Sequence, residues 1–260
     1  MRIALCLEYE GTAYAGWQIQ DNAPSVQGWL EDAVQAVCGR PTRVTGAGRT
    51  DAGVHALGQV AHFDTQAALP PDRWAYALNA HLPRDIRVQA SYAVPESFHA
   101  RFDACGKHYR YVLHLAAQPP ALLRQHAWHL RDQLDVTAMQ EAGTLFCGRH
   151  DYAAFMSAGS SVQDTVRQVR EVAVQRQGPW ATVDVKGNGF LYNMVRILVG
   201  TLVEMGRGER PPRDMLAILA GKDRALAGVT APAQGLHLMQ VFYPNPPFCE
   251  KSPENPPKRG

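Results

Sequence analysis

One aspartate of the chain lies in a loop of small residues suited to hold a carboxylate against a ligand. The segment 46–56 reads G-A-G-R-T-D-A-G-V-H-A, with Asp51 two residues after Arg49 and four before His55. The loop contains three glycines: Gly46, Gly48 and Gly53. These glycines predict sharp backbone bends and open space beside the acid. Because Asp and Gly are common turn residues, composition alone leaves open that Asp51 only forms an Asx-turn with its own backbone.

The same loop does not have the composition of a phosphate-binding loop. The dinucleotide fingerprint requires a third glycine where Asp51 stands, and a P-loop requires a Lys-Ser or Lys-Thr pair that this segment lacks. An acid in the centre of the loop would also repel a phosphate group. The predicted ligand contact is therefore one that uses a carboxylate.

The segment around Asp51 resembles the signature of the bacterial tRNA pseudouridine synthase A family, and further segments resemble that family in the same order. They are G-Q-V at 58–60, H-F at 62–63, F-H-A-R-F at 98–102, Y-R-Y at 109–111, T-V-R-Q-V at 165–169, G-N-G-F-L-Y-N-M-V-R at 187–196 and A-P-A-Q-G-L-H-L at 231–238. Together they span nearly the whole chain apart from its C-terminal tail, so we identify the chain by resemblance as a member of this family.

The resemblance implies a fold and an activity. The implied fold class is α+β, the pseudouridine synthase fold, in which two ferredoxin- or RRM-like α+β halves share a mostly antiparallel sheet with a central cleft. The implied activity is the isomerisation of uridine to pseudouridine at positions 38, 39 and 40 of the tRNA anticodon stem-loop. It requires neither metal nor small-molecule cofactor. The implied assembly is a homodimer in which one tRNA bridges both subunits.

The resemblance also assigns roles to five residues. Asp51 is the nucleophile, and Arg196 pairs with it from the other half of the cleft, which we expect to lower the pKa of the acid. Tyr109 stacks on the flipped uracil, since base flipping is needed to reach C1′. Arg49 contacts the RNA backbone or supports the flip, and Leu238 supplies an apolar wall against the base. From residue type alone, Arg196 could be a surface helix arginine and Tyr109 an ordinary strand aromatic.

Two other function classes fit the residues less well. A non-catalytic RNA-binding or tRNA-folding protein of the same fold would have no need of a loop acid close to phosphates. A small-molecule hydrolase that used Asp51 with His55 would need a second positioned acid or nucleophile, and no motif supplies one. His126 and His129 form an H-x-x-H pair, but neither H-E-x-x-H nor paired cysteines accompany it, so we do not expect a metal site.

Composition sets limits on the partners and the compartment. The net charge is only +2, although 21 of the 26 basic residues are arginine, which suits RNA phosphates but also arises from a GC-rich coding bias. Five dispersed cysteines without a C-x-x-C pair indicate free thiols in a reducing compartment. The first ten residues include acids too early for a signal peptide, and the apolar run around 194–203 is too short to span a bilayer. We therefore expect a cytoplasmic protein that does not bind membranes.

The elements that position these residues follow from hydrophobic periodicity and capping signals. Strands are predicted near 3–9, 43–45, 60–63, 86–92, 109–115, 166–175, 181–186 and 235–242. Helices are predicted from Ser25 to Gly39 with Val26, Trp29, Leu30, Ala33, Val34 and Val37 on the buried face, near 72–79, from Asp135 to about 147, and from about 194. This order predicts an N-terminal α+β half over 1–104, a second half over 105–243 and a disordered, proline-rich tail over 244–260.

Overall fold

The computed structural model of the protein describes residues 1–131, 133–159 and 162–244, and these form an α+β structure. The described helices are α1 (Val26–Cys38), α2 (Trp74–Asn79), α3 (Val136–Phe146), α4 (Met194–Gly206) and α5 (Asp214–Gly221). The described strands are β1 (Arg2–Tyr9), β2 (Thr45–Gly46), β3 (His55–Asp64), β4 (Ile86–Val94), β5 (Gly106–Leu115), β6 (Trp128–Leu130), β7 (Gly148–Asp151), β8 (Val166–Gln177), β9 (Trp180–Gly187) and β10 (Leu236–Phe242).

All ten described strands join one sheet whose centre is built from the end of the chain. The order is β4-β1-β3-β10-β5-β9-β8-β7, with β2 paired to β3 and β6 paired to β5. The pairing is antiparallel except between β10 and β3 and between β5 and β6. The predicted α+β class with a mostly antiparallel sheet is confirmed.

The last strand, β10, lies between β3 of the first part of the chain and β5 of the second. The loop that precedes β3 and the residues of β5 are therefore only two strand spacings apart, about 10 Å. This arrangement brings the Asp51 loop close to Tyr109. The division into halves 1–104 and 105–243 stays a prediction. Residues 245–260 of the predicted disordered tail lie outside the described residues.

Helix α1 illustrates how local signals define an element. The Ser25 side chain accepts a hydrogen bond from the backbone N–H of Gly28, and Gly39 ends the helix in the left-handed conformation with φ 71°. Both caps are as predicted. The placement of Trp29 on the buried face was wrong, because Trp29 is 40% exposed. At about 100° per residue, Trp29 lies at the edge of the buried arc, and Gln27 takes the opposite edge by donating to the Val44 carbonyl.

The buried residues form one hydrophobic core, and two aromatic clusters lie within it, one in each part of the chain. Phe63 packs edge-on against Trp74 where α2 covers the sheet, and Phe146 packs against Tyr152 and Phe155 below α3. Helix α4 is buried along almost its whole length, which gives its first turn a fixed place beside the sheet. Within the described residues, no helix has both the length and the apolar character needed to cross a membrane.

Candidate active site

The loop that carries Asp51 is held by hydrogen bonds to the segment that follows β1. The backbone N–H of Trp17 donates to the Thr50 carbonyl at 3.0 Å, and the N–H of Gly53 donates to the Tyr14 carbonyl at 3.3 Å. The hydroxyl groups of Tyr9 and Thr50 are hydrogen-bonded at 2.8 Å. The backbone on both sides of Asp51 is thereby fixed, so the acid projects from a rigid support rather than from a free loop.

The three loop glycines serve different purposes. Gly53 has φ +77°, a conformation that side chains disfavour, and so provides the predicted bend. Gly46 lies flat against an indole ring, because a Cβ added there would come within 2.5 Å of Trp17. Gly48 leaves room for another side chain, since an added Cβ would meet the Lys107 Nζ atom at 2.5 Å. The loop is therefore packed on two of its glycines and bent at one.

Asp51 meets Arg196 across the site, as the resemblance implied. The Arg196 Nη1 atom is 3.6 Å from Asp51 Oδ2, a contact between the loop before β3 and the first turn of α4. Arg196 is itself held in place: its Nε donates to the Ala231 carbonyl at 2.7 Å and its Nη1 donates to Asn193 Oδ1 at 2.7 Å. The guanidinium is therefore shared among three acceptors, and Asp51 has the most distant of the three contacts.

Arg196 lowers the pKa of Asp51, as expected, but burial of the acid has the larger effect. Burial raises the pKa of Asp51, and the charge and hydrogen bonding of Arg196 offset this only in part, so the pKa lies above the ordinary aspartate value. The sequence predicted the arginine but could not show how much solvent the loop would exclude. A carboxylate that is partly shielded from water and has few donors keeps its electron pairs available to a substrate atom.

Tyr109 lies on β5 with only 8% of its surface exposed. Its ring packs edge-on against Phe190 with the ring centroids 5.3 Å apart. Burial raises the pKa of the Tyr109 hydroxyl, and the nearby Tyr9 and Asp51 raise it further. The phenol is therefore protonated at neutral pH and close enough to Asp51 to sense its charge.

The two remaining predicted residues are placed differently from each other. Leu238 pairs with Tyr109 across β10 and β5, so both side chains lie on one face of the sheet, and Leu238 is fully buried. Arg49 is exposed, and among the described residues no carboxylate forms an ion pair with it. Leu238 is thus the direct cross-strand neighbour of Tyr109. Arg49, by contrast, forms no ion pair with Asp51 among the described residues.

His55, which lies four residues after Asp51, faces a different set of partners. Its Nδ1 accepts from the Gly11 N–H at 3.0 Å, and its Nε2 is hydrogen-bonded to the Gln125 carbonyl at 2.8 Å. The ring stacks on that of His237 with 20° between the ring planes, and its centroid lies 4.6 Å from the centroid of the His126 ring. The hydrolase interpretation, in which His55 serves Asp51, has no support in these contacts.

His126 joins His55 and His237 rather than His129, its partner in the predicted H-x-x-H pair. The ligand atoms of the three histidines lie within 4.8 Å of one another. Both His55 nitrogens are already hydrogen-bonded, and the lone pairs of two stacked rings point in parallel planes. This donor set does not fit convergent tetrahedral coordination.

Two residues that touch the site, Asn193 and Lys107, were not among the predicted site residues. Asn193, which orients Arg196, precedes it by three residues, one helical turn, and lies inside the quoted 187–196 motif, so its spacing could have indicated it. Lys107 reaches the Asp51 loop at Gly48 and lies two residues before Tyr109 on the same strand face, a period-2 signal that was also available.

Comparisons with known proteins agree on one family. The family described as tRNA pseudouridine synthase matches residues 5–103 and 142–244. A protein of Syntrophotalea carbinolica named tRNA pseudouridine synthase A is 49% identical over 241 residues, 93% of this chain and 96% of that protein. One of Shouchella clausii with the same name is 47% identical over 253 residues, 97% of each.

The structure titled "Crystal Structure of a Cbf5-Nop10-Gar1 Complex" aligns with 92% of this chain and 59% of that chain at 12% identity, with a TM-score of 0.37. At that score it adds nothing to the fold assignment. The family assignment rests on the sequence matches.

Proposed function

The chain belongs to the tRNA pseudouridine synthase family, and from that membership we propose that it isomerises uridines 38, 39 and 40 of the tRNA anticodon stem-loop. Membership of this family makes the chain an isomerase that acts on tRNA uridine. The observation that carries the proposed site is the meeting of Asp51 and Arg196 at 3.6 Å, from two distant parts of the chain, beside Tyr109.

The reaction needs only a few groups because it has no net redox change and no hydrolysis. The C1′–N1 bond breaks, the uracil rotates, and a C1′–C5 bond forms; C5 releases its proton and N1 takes one up. In our proposal Asp51 is the nucleophile. Attack on C1′, attack on C6 and a start by proton loss from C2′ are all compatible with its place. Arg196 keeps the carboxylate ionised and oriented while the base is detached.

The remaining residues hold the extruded nucleotide. We assign base stacking to the ring of Tyr109, whose hydroxyl is protonated and lies within range of the charge of Asp51. Leu238 backs the ring from the neighbouring strand as an apolar wall. Arg49, exposed at the rim of the loop, is assigned to the RNA backbone or to the flip of the base.

The proposal extends to the assembly and its location. We propose that the protein works in the cytoplasm as a homodimer in which one tRNA contacts both subunits. One subunit would then hold the anticodon arm at its Asp51 loop, and the other subunit would contact another part of the same tRNA. Sedimentation of the free protein and of its tRNA complex tests the stoichiometry directly, and a monomer that binds one tRNA would contradict it.

Tritium release from tRNA transcripts that contain [5-³H]uridine tests the activity. A synthase exchanges the C5 hydrogen, whereas an RNA-binding protein or a hydrolase leaves it in place. Transcripts with uridine only at position 38, 39 or 40 of the anticodon arm should release tritium, and a transcript with cytidine at all three should not. Release from the cytidine transcript would overturn the assignment of positions; no release from any transcript by folded protein would overturn the activity.

A further inference from the structure

Lys107 is the described lysine whose ammonium group is not neutralised by an acid. Lys186 pairs with Glu171 and Lys222 with Asp151, each at 2.9 Å. Among the described residues no carboxylate forms an ion pair with Lys107, although its side chain is partly buried. A partly buried cation without a counter-charge is costly for the protein alone, which indicates that a ligand supplies the missing anion.

The position of this ammonium group is set by a gap in the Asp51 loop. An added Cβ at Gly48 would meet Lys107 Nζ at 2.5 Å and Cε at 3.1 Å, so the lysine ends against the glycine that lies three residues before Asp51. Lys107 also precedes Tyr109 by two residues on β5 and therefore projects from the same face of the sheet. The ammonium group thus lies at the edge of the proposed active site.

A second cation and an exposed ring extend the same surface away from the loop. Arg101 lies near enough for its like charge, together with burial, to lower the pKa of Lys107 to about 8, a value at which the amine is still mostly protonated at pH 7. The Arg101 guanidinium lies over Phe102, which is 75% exposed. The nearest acid in this segment, Asp103, accepts from the backbone N–H of His99. Two cations and an exposed aromatic ring suit a nucleic acid backbone.

We propose that Lys107 binds a backbone phosphate of the RNA substrate next to the nucleotide held at Asp51, and that Gly48 is a glycine because any side chain there would displace the ammonium group. The inference rests on the proposed function, since it takes RNA as the ligand. It assigns a phosphate subsite to residues with no role in the isomerisation itself. Arg101 provides a second positive charge along the path of the RNA backbone.

The test compares Lys107→Ala with Lys186→Ala in binding of an unmodified tRNA transcript at pH 7 over a series of salt concentrations. Lys186 is a matched control, because it pairs with Glu171 and projects from the opposite face of the sheet. Lys107→Ala should weaken binding about tenfold and reduce the slope of log affinity against log salt by about 0.7 to 0.9, the loss of one phosphate contact. Lys186→Ala should match the wild type in both.

Gly48→Ala provides a second variant that retains every charge and folds readily, since its added methyl group meets only the flexible end of Lys107. Alone it should weaken tRNA binding, and combined with Lys107→Ala it should add nothing further, because the atom it displaces is gone. This non-additivity separates a phosphate subsite from two unrelated losses.

Three results would overturn the proposal. One is an unchanged salt slope in Lys107→Ala. The second is full additivity of the two substitutions. The third is lost turnover with unchanged binding, which would place Lys107 in the chemistry. As a control, the wild-type protein is tested for tritium release from tRNA. If the wild type released no tritium, the proposed function would be contradicted, whereas the binding measurements on the variants would still test whether Lys107 contacts a phosphate.

Discussion

Asp51 and Asp184 each have an arginine beside them and differ in almost everything else. Asp51 has Arg196 at 3.6 Å. Asp184, on β9, accepts from His108 Nε2 at 2.6 Å, from Arg110 Nε at 2.9 Å and from Arg110 Nη2 at 3.2 Å. Because β5 alternates its side chains, Tyr109 projects toward Asp51, and its neighbours His108 and Arg110 project toward Asp184 on the opposite face.

The pKa values of the two acids shift in opposite directions. Burial, neighbouring charges and hydrogen bonds act on both acids, but their relative sizes differ. Burial raises the pKa of both. At Asp184 the hydrogen bonds and charges of His108 and Arg110 outweigh burial, and the pKa is lowered; at Asp51 the contribution of Arg196 falls short, and the pKa is raised. A carboxylate saturated with donors stabilises the fold, whereas one left short of donors is available to a substrate.

The largest expected difference is in catalysis by the two matched amides. Asp51→Asn removes the proposed nucleophile at constant size and should reduce pseudouridine formation by roughly four orders of magnitude or more, while tRNA binding is kept or slightly strengthened. Asp184→Asn should leave single-turnover tritium release within about threefold of the wild type once folding is confirmed. Turnover in a purified, deamidation-checked Asp51→Asn protein would end the assignment of the nucleophile.

The next largest effect concerns the two arginines. Arg196→Ala removes the group that partly offsets burial, so the pKa of Asp51 should rise further and the acidic limb of the rate–pH profile should move up by about one to three pH units. Activity lost at neutral pH then returns in part as the pH rises. Arg110→Ala should leave the profile in place. If Arg196→Ala instead kept the wild-type profile and reduced the salt slope of binding, Arg196 would belong to the RNA-binding surface.

Tyr109 and His108 are adjacent on β5 but project from opposite faces of the sheet, so their substitution should affect RNA binding differently. Tyr109→Leu should weaken capture of the flipped base by about 1–3 kcal/mol, and Tyr109→Phe should bind tRNA like the wild type. Loss of turnover in Tyr109→Phe with unchanged binding would assign proton transfer to the hydroxyl. His108→Ala, on the opposite face, serves as the control and should bind normally. Equal binding and turnover for the wild-type, Phe and Leu proteins would mean that Tyr109 is only a structural strand residue.

The smallest effect is on stability. Asp184→Asn should lower the free energy of unfolding by about 1–3 kcal/mol at pH 7, because the amide cannot accept all three hydrogen bonds. Since the folded pKa of Asp184 is lowered, its contribution is present above the unfolded value and is lost as the pH falls through the folded one. Denaturant unfolding at pH 7 and at pH 3 should therefore show a smaller gap between wild type and variant at the lower pH. A gap that grew on acidification would contradict this sign.

The sequence predicted well those features that depend on neighbours along the chain. The caps of α1 at Ser25 and Gly39 and the bend of the Asp51 loop at Gly53 follow from local residue preferences, and the structure has them there. Trp29 was misplaced because the edge of a buried arc depends on what packs across it. Strands β6 and β7, of three and four residues, are too short to give a periodic signal.

Features that depend on distant residues were beyond such reasoning. The Asp184 cluster joins residues 74 and 76 positions apart, and the raised pKa of Asp51 depends on how closely the segment after β1 covers its loop. The pairing of Asp51 with Arg196 was available only through the family resemblance. No spacing in the chain indicates that an arginine 145 residues further on will meet that acid.

The contrast between the two carboxylates can be measured directly by titrating the aspartate side chains with ¹³C-NMR. Labelled carboxyl resonances would be assigned by their loss in Asp51→Asn and in Asp184→Asn. We predict that Asp51 titrates above the ordinary aspartate value of about 3.9 and Asp184 below it. If Asp51 instead titrated at or below Asp184, Asp51 would be as fully neutralised as a structural carboxylate, and the account of it as the free acid of the site would be contradicted.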